Sequence, residues 1–110
     1  MRTILDVLEA VRLRPEMYVG LDPSQRGGQL QNIEFLLHGY AMAAENHSLK
    51  EPVSDFPREF AEYLQRKFGW SVECGPVAAI RAVAADDSDA WELFWKLVAE
   101  FKATLPATGR

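Results

Sequence analysis

Cysteine and long apolar runs are both scarce in this sequence. Cys74 is the only cysteine among 110 residues, so no internal disulfide can form, and a reducing cytoplasm is the simplest setting. The longest apolar stretch, within residues 35–44, is interrupted by His38 and falls well short of the roughly 20 residues that span a membrane. Charged and apolar side chains alternate over residues 1–13, which predicts no signal peptide. We expect a soluble, cytoplasmic protein.

Basic residues are few and dispersed. Twelve Lys and Arg stand against 16 Asp and Glu, for a formal net charge of -4. Arg12 and Arg14 form one small local basic cluster, whereas proteins that bind nucleic acids usually carry a basic stripe. We therefore predict no nucleic-acid partner. The mildly acidic surface is compatible with a basic protein partner and equally with a surface that only keeps the protein soluble.

Motifs for catalysis, cofactors and metals are absent as well. No glycine-rich phosphate loop and no G-x-S-x-G turn occur, and Cys74 has no nearby His in sequence, which predicts a buried or inert thiol. His38 and His47 lack further ligands at zinc spacing, and the acids of residues 86–89 lack the pattern of a calcium loop. The sequence predicts no enzyme, no cofactor and no metal.

Apolar residues are abundant and follow helical spacing. They make up 48% of the chain, enough for the core of one domain over residues 1–110. Five helices are predicted at about residues 3–13, 29–47, 55–68, 76–85 and 89–105. A loop is expected over residues 14–28, which contain two prolines and three glycines. At residues 70–74 a short β-segment is an alternative to helix. The predicted fold class is an all-α bundle of about five helices.

Individual residues refine this prediction. Thr3 and Asp55 are expected to cap the first and third helices, and Asp87 or Ser88 the fifth. The second helix is apolar around much of its circumference, which predicts the most buried helix of the bundle. Gly39 in its middle costs about 1 kcal/mol relative to Ala, so a neighbouring backbone is expected to approach there.

The sharpest motif is R-L-R-P-E-M-Y-V-G at residues 12–20. Its residue types are typical of a loop anchor. Met17 and Tyr18 would cover the apolar sides of the first two helices, and Arg14 would pair with an acid or bind helix-end carbonyls. Gly20 would adopt a positive φ.

This motif resembles a segment near the start of type II topoisomerase ATPase subunits, which reads roughly R-K-R-P-G-M-Y-I-G and lies beside an ATP site. The resemblance covers about nine residues, with Glu16 in place of glycine. That family also needs a catalytic Glu followed four residues later by a metal-binding Asn, whereas Glu34 is followed by His38. A nucleotide-binding fragment is therefore an alternative rather than the leading interpretation.

Together with the segments that follow, the motif resembles small bacterial immunity-type proteins encoded beside polymorphic or contact-dependent toxins. The shared features are R-P-x-x-Y-x-G, a helix with a G-Y pair, an aromatic third helix, and a late helix rich in Phe and Trp that acids precede. They correspond here to Arg14, Pro15, Met17, Tyr18 and Gly20; Leu30, Phe35, Gly39 and Tyr40; Phe56, Phe60 and Tyr63; and residues 86–89 with Trp91, Phe94 and Trp95. Gly75 and Pro76 stand where that group often has Trp and Ser.

The resemblance implies a non-enzymatic protein that binds a cognate toxin domain and blocks its active site. An acidic surface would assist by attracting a positively charged toxin cleft. The candidate partner-binding acids are Glu51, Asp55, Glu73, Asp86, Asp87 and Asp89. A self-associating adaptor domain is a further alternative, and a homo-oligomer is left open.

Overall fold

The computed structural model describes residues 3–46 and 55–105, and all regular secondary structure in these residues is helical. Six α-helices are present within these residues, together with a 3₁₀ turn at Pro23–Gln25. They are α1 (Ile4–Leu13), α2 (Pro15–Val19), α3 (Arg26–Asn46), α4 (Phe56–Phe68), α5 (Pro76–Val83) and α6 (Asp87–Thr104). The all-α fold class is confirmed. No strand forms at residues 70–74, where the Gly75 N–H donates to the Val72 carbonyl at 3.0 Å and closes a turn.

Local side chains determine most of the helix ends. The Thr3 hydroxyl accepts from the Asp6 N–H while the Asp6 carboxylate accepts from the Thr3 N–H, which is a capping box. The Asp55 carboxylate caps α4 as predicted, and Gly69 ends α4 in the left-handed conformation. The prediction for α6 was wrong by a residue, because Asp86 caps it by accepting from the Asp89 N–H at 2.8 Å.

The loop predicted over residues 14–28 was also wrong, because most of this segment is helical. Pro15 ends α1 but occupies the first position of α2, where its missing N–H costs no hydrogen bond. Pro23 starts the 3₁₀ turn in the same way, and the Asp22 carboxylate caps that turn by accepting from the Ser24 N–H at 2.9 Å. The residues that interrupt one helix therefore begin the next.

The core is centred on α3, which contacts α2, α4, α5 and α6. Aromatic rings from α4 and α6 fill its middle, and Phe60 is fully buried against Phe56, Phe94 and Phe101. The other fully buried large apolar side chains come from α1, α3, α4, α5 and α6: Ile4, Leu8, Leu30, Ile33, Leu37, Leu64, Ile80 and Leu97. Phe68, at the end of α4, lies outside this core: it is 41% exposed and stacked on Trp70.

An ion pair on the surface also links α4 to α6. The Lys67 ammonium lies 2.9 Å from a Glu100 carboxylate oxygen and also donates to the Tyr63 hydroxyl. The hydrogen bond between the two charged groups raises the pKa of Lys67 and lowers the pKa of Glu100. Both groups reach solvent, so the pair contributes little to stability compared with the aromatic core.

Candidate functional site

One face of α3 carries large apolar side chains that the described chain leaves uncovered. Phe35 and Met42 are each 65% exposed, although Ile33 and Leu37 on the opposite side of the helix are fully buried. The spacing of Phe35, Gly39 and Met42 by four and three residues places them on one helical face, which we call the outer face of α3. The expectation that this helix is the most buried is therefore only half right, since it buries one apolar face and exposes another.

Gly39 lies in the middle of the outer face, and its surroundings contradict the prediction made from sequence. A Cβ built on Gly39 would meet no heavy atom within 4 Å, so no neighbouring backbone of the described chain approaches it. Glycine inside a helix costs about 1 kcal/mol relative to Ala, and no contact within the described fold offsets this cost. A residue that lowers the stability of its helix, with no compensating contact elsewhere in the fold, is expected at a functional position.

Substitution of Gly39 by Ala is expected to stabilise the protein. Because the position is helical and open, Gly39→Ala should raise the free energy of unfolding by about 0.5–1 kcal/mol, as measured by urea denaturation. Gly69→Ala is the matched control: that glycine is equally open but has φ +74°, where a Cβ is strained, so its substitution should lower the free energy of unfolding. A lower free energy of unfolding for Gly39→Ala would show that another part of the chain packs against Gly39.

The segment from Leu13 to Leu21 adds further exposed apolar side chains beside α3. Met17 and Tyr18 were expected to cover the first two helices, but both are exposed because Pro15 and Val19, one helical turn apart in α2, take the inward positions. Leu21 lies against α3, because a Cβ built on Gly28 would be only 2.6 Å from the Leu21 Cδ1 atom. Since Gly28 stands seven residues before Phe35, Leu21 extends the same side of α3.

Two amides of α3 hold the R-P-x-x-Y-x-G segment in place. Gln29 donates from Nε2 to the Gly20 carbonyl at 2.9 Å, and Asn32 donates from Nδ2 to the Val19 carbonyl at 2.8 Å. Gln29 is fully buried, and its Oε1 accepts from the guanidinium of Arg26 at 2.6 Å. The two bonds to the Gly20 and Val19 carbonyls fasten the end of the motif to α3, through side chains that were not predicted for this role. The available sequence signal was a glutamine in register with the apolar residues Ile33 and Leu37, four and eight positions later.

The residues predicted to fasten the motif have other roles. Arg14 is exposed and takes part in none of the ion pairs between described side chains; its backbone N–H donates to the Ala10 carbonyl. Gly20 does have a positive φ, at +70°, as predicted. Tyr40 is half-buried and packs against the core, so the G-Y pair directs Tyr40 inward and leaves Gly39 outside.

The candidate acids do not form one patch. Asp55 and Glu73 line a cavity near the start of α5, whereas Asp86, Asp87 and Asp89 follow its end. The eight residues of α5 separate the two groups by roughly 12 Å. Glu51 lies outside the described residues.

The three acids at the start of α6 take part in local structure. Asp86 caps the helix, and Asp89 accepts from the Ala85 N–H at 3.4 Å. Asp87 lies 3.2 Å from the Arg81 guanidinium. A Cβ built on Gly27 would touch the Asp87 carboxylate, so this ion pair lies against the first turn of α3. These carboxylates remain on the surface, but their positions are explained by the fold alone.

A cavity of about 520 Å³ separates α4 from the turn before α5. Cys74 and His38 are both among its lining residues, and the thiol is exposed rather than buried; that it is inert stays a prediction. His38 Nε2 lies 2.5 Å from Oε2 of Glu34, four residues earlier, a pair that was not predicted from the sequence. Among the described residues, no group of three or more His, Cys, Asp or Glu could hold a metal ion.

Comparisons with protein-family models, curated proteins and solved structures found no match to this chain. No helix in residues 3–46 or 55–105 combines the length and apolar character that crossing a membrane requires.

Proposed function

We propose that this chain is a non-enzymatic protein-binding domain and that the outer face of α3 is the centre of its binding surface. The observation that carries the proposal is Gly39, an open helical glycine between two apolar side chains that are each 65% exposed. Phe and Met are enriched at the centres of protein interfaces, and a contiguous exposed apolar patch is uncommon on a monomer that has no partner.

The outer face has the shape of a shallow gap between two projecting side chains. Phe35 and Met42 stand one turn on either side of Gly39, where only backbone is present. A partner's backbone or aromatic ring can therefore approach α3 closely while the two side chains enclose it. Full burial of each side chain would contribute roughly 1.5–3 kcal/mol.

We further propose that the partner is a cognate toxin domain and that the chain acts as an immunity protein. This step rests on the resemblance carried by residues 14–20 and by the pair Gly39 and Tyr40. Binding would block the toxin's active site sterically. The acids at the two ends of α5 would attract a basic toxin cleft, which affects the association rate more than the affinity.

The test begins with capture of partners on the tagged chain from its native cell. A captured protein that arrests growth when expressed alone, and whose effect is cancelled by co-expression of this chain, is the expected result. The chain with Phe35→Ser and Met42→Ser should neither retain that protein nor restore growth. Recovery of the tagged chain alone would contradict the proposal.

Two other outcomes would favour the alternatives. Saturable micromolar binding of ATP with magnesium, measured by calorimetry, would favour a nucleotide-binding fragment. A stable homo-oligomer in sedimentation experiments, with no second protein captured, would favour a self-associating adaptor.

A further inference from the structure

A narrow groove lies between α1 and α6, on a part of the surface that shares no residue with the outer face of α3. It has a volume of about 170 Å³, and its apolar walls come from both helices: Leu5, Leu8, Trp95, Val98 and Ala99. Leu8 is fully buried, whereas Leu5 and Trp95 are half-buried and pack against the edge of the core. The groove is therefore an apolar gap that the described chain leaves partly open.

The spacing of residues in the two helices produces this groove. Each helix contributes a row of side chains separated by four and three residues: Leu5, Glu9 and Arg12 from α1, and Trp95, Ala99 and Lys102 from α6. Side chains at this spacing share one face of a helix, so each helix lines the groove with one face. Both rows begin with a large apolar residue and end with a basic one, and the small side chain of Ala99 leaves space between them.

The charged groups at the groove carry an excess of positive charge. Arg12 donates to both carboxylate oxygens of Glu9, from Nε at 3.1 Å and from Nη2 at 2.5 Å. The hydrogen bond from Arg12 lowers the pKa of Glu9, and the charge of Lys102 lowers it further, so this carboxylate is ionised at neutral pH. Lys102 takes part in none of the ion pairs between described side chains. Two cations and one carboxylate leave one positive charge, although the whole chain carries -4.

We propose that the groove between α1 and α6 is a binding site for a small aromatic monocarboxylate. The ligand's carboxylate accepts from Lys102 and is attracted by Arg12, while its ring covers the exposed parts of Leu5 and Trp95. This proposal does not depend on the function proposed for the outer face of α3, because the two sites share no residue.

Size and charge together select this class of ligand. A cavity of about 150 Å³ holds one benzene ring, so a volume of about 170 Å³ suits a single ring with a short acid group and is too small for most larger ligands. One excess positive charge matches one carboxylate, whereas a phosphate with nearly two negative charges would be repelled by Glu9. The indole of Trp95 favours an aromatic body, since ring pairs add to the stabilisation from apolar burial.

The test titrates the full chain with phenylacetate by calorimetry or by NMR shifts of the α1 and α6 amides. We expect saturable binding with a Kd on the order of 1 mM or lower, as is typical for a ligand of this size. Phenylacetamide keeps the ring but has no charge, and acetate keeps the charge but has no ring. Each should bind at least about fivefold more weakly than phenylacetate.

Lys102→Met tests the role of the charge, because it keeps an apolar stem of similar length. It should weaken phenylacetate binding at least about fivefold and leave phenylacetamide binding unchanged. Lys96→Met is the matched control, since it makes the same change at an exposed lysine of α6 that does not line the groove, and it should bind phenylacetate like the wild type. Urea denaturation confirms that both variants are folded. Equal binding of phenylacetate and phenylacetamide, equal effects of the two lysine variants, or no binding of phenylacetate up to about 10 mM would overturn the proposal.

Discussion

Replacement of both Phe35 and Met42 by serine is expected to weaken partner binding at least about 30-fold while the fold persists. A central apolar anchor typically accounts for 2 kcal/mol or more of binding energy, and this change removes two of them. Both side chains are mostly in solvent, so the free energy of unfolding should change by less than about 0.5 kcal/mol. Calorimetric titration of the captured partner, together with urea denaturation, measures both quantities.

Val83→Ser is the control for this experiment. Val83 is an exposed apolar residue at the end of α5, outside the outer face of α3. It should leave the affinity within about twofold of the wild type, as expected for a residue outside the interface centre. If Val83→Ser weakened binding as much as the double variant, general loss of surface hydrophobicity would be the cause. A double variant that binds like the wild type would exclude the outer face as the interface.

Substitution of Phe60 by Ala is expected to cause the largest loss of stability. The Phe60 ring is fully buried, and its centroid lies 5.2 Å from that of Phe56 and 5.5 Å from that of Phe101. Truncation of a ring in such a core costs about 3–5 kcal/mol. Because domains of this size are stable by about 5–15 kcal/mol in total, urea or thermal denaturation should show a protein close to unfolding.

Phe68→Ala gives the comparison within the same helix. Phe68 lies at the end of α4, is 41% exposed and stacks on Trp70 at 4.4 Å. Its removal should cost only about 1 kcal/mol, the typical contribution of an aromatic pair at a surface. Equal losses for the two variants would mean that the aromatic core is not centred on Phe60.

The ends of α1 and α4 could be predicted because local chemistry fixes them. The Thr3 hydroxyl and the Asp55 carboxylate each bond to backbone groups three residues away, and Gly69 supplies the left-handed residue that ends α4. These interactions are contained within one turn of sequence. The apolar spacing of α1 and α4 was similarly unambiguous, since each presents one clear buried stripe.

The face of α3 that remains open could not be predicted, since its apolar residues surround the helix and spacing alone does not tell which side meets the core. Only the packing of α4, α5 and α6 shows that Ile33 faces inward and Phe35 outward. The cavity was missed for a different reason. His38 and Cys74 are far apart in sequence, and only the packing of α3 near the turn before α5 brings them to one cavity.

The most direct test of the outer face uses Gly39→Arg, which introduces a better helix former and fills the gap between Phe35 and Met42. Calorimetry with the captured partner and urea denaturation should be carried out on the same preparations of wild type and variant. We predict a free energy of unfolding equal to or above that of the wild type, together with an affinity at least about tenfold lower. An unchanged affinity in this folded variant would contradict the assignment of the outer face of α3 as the binding surface.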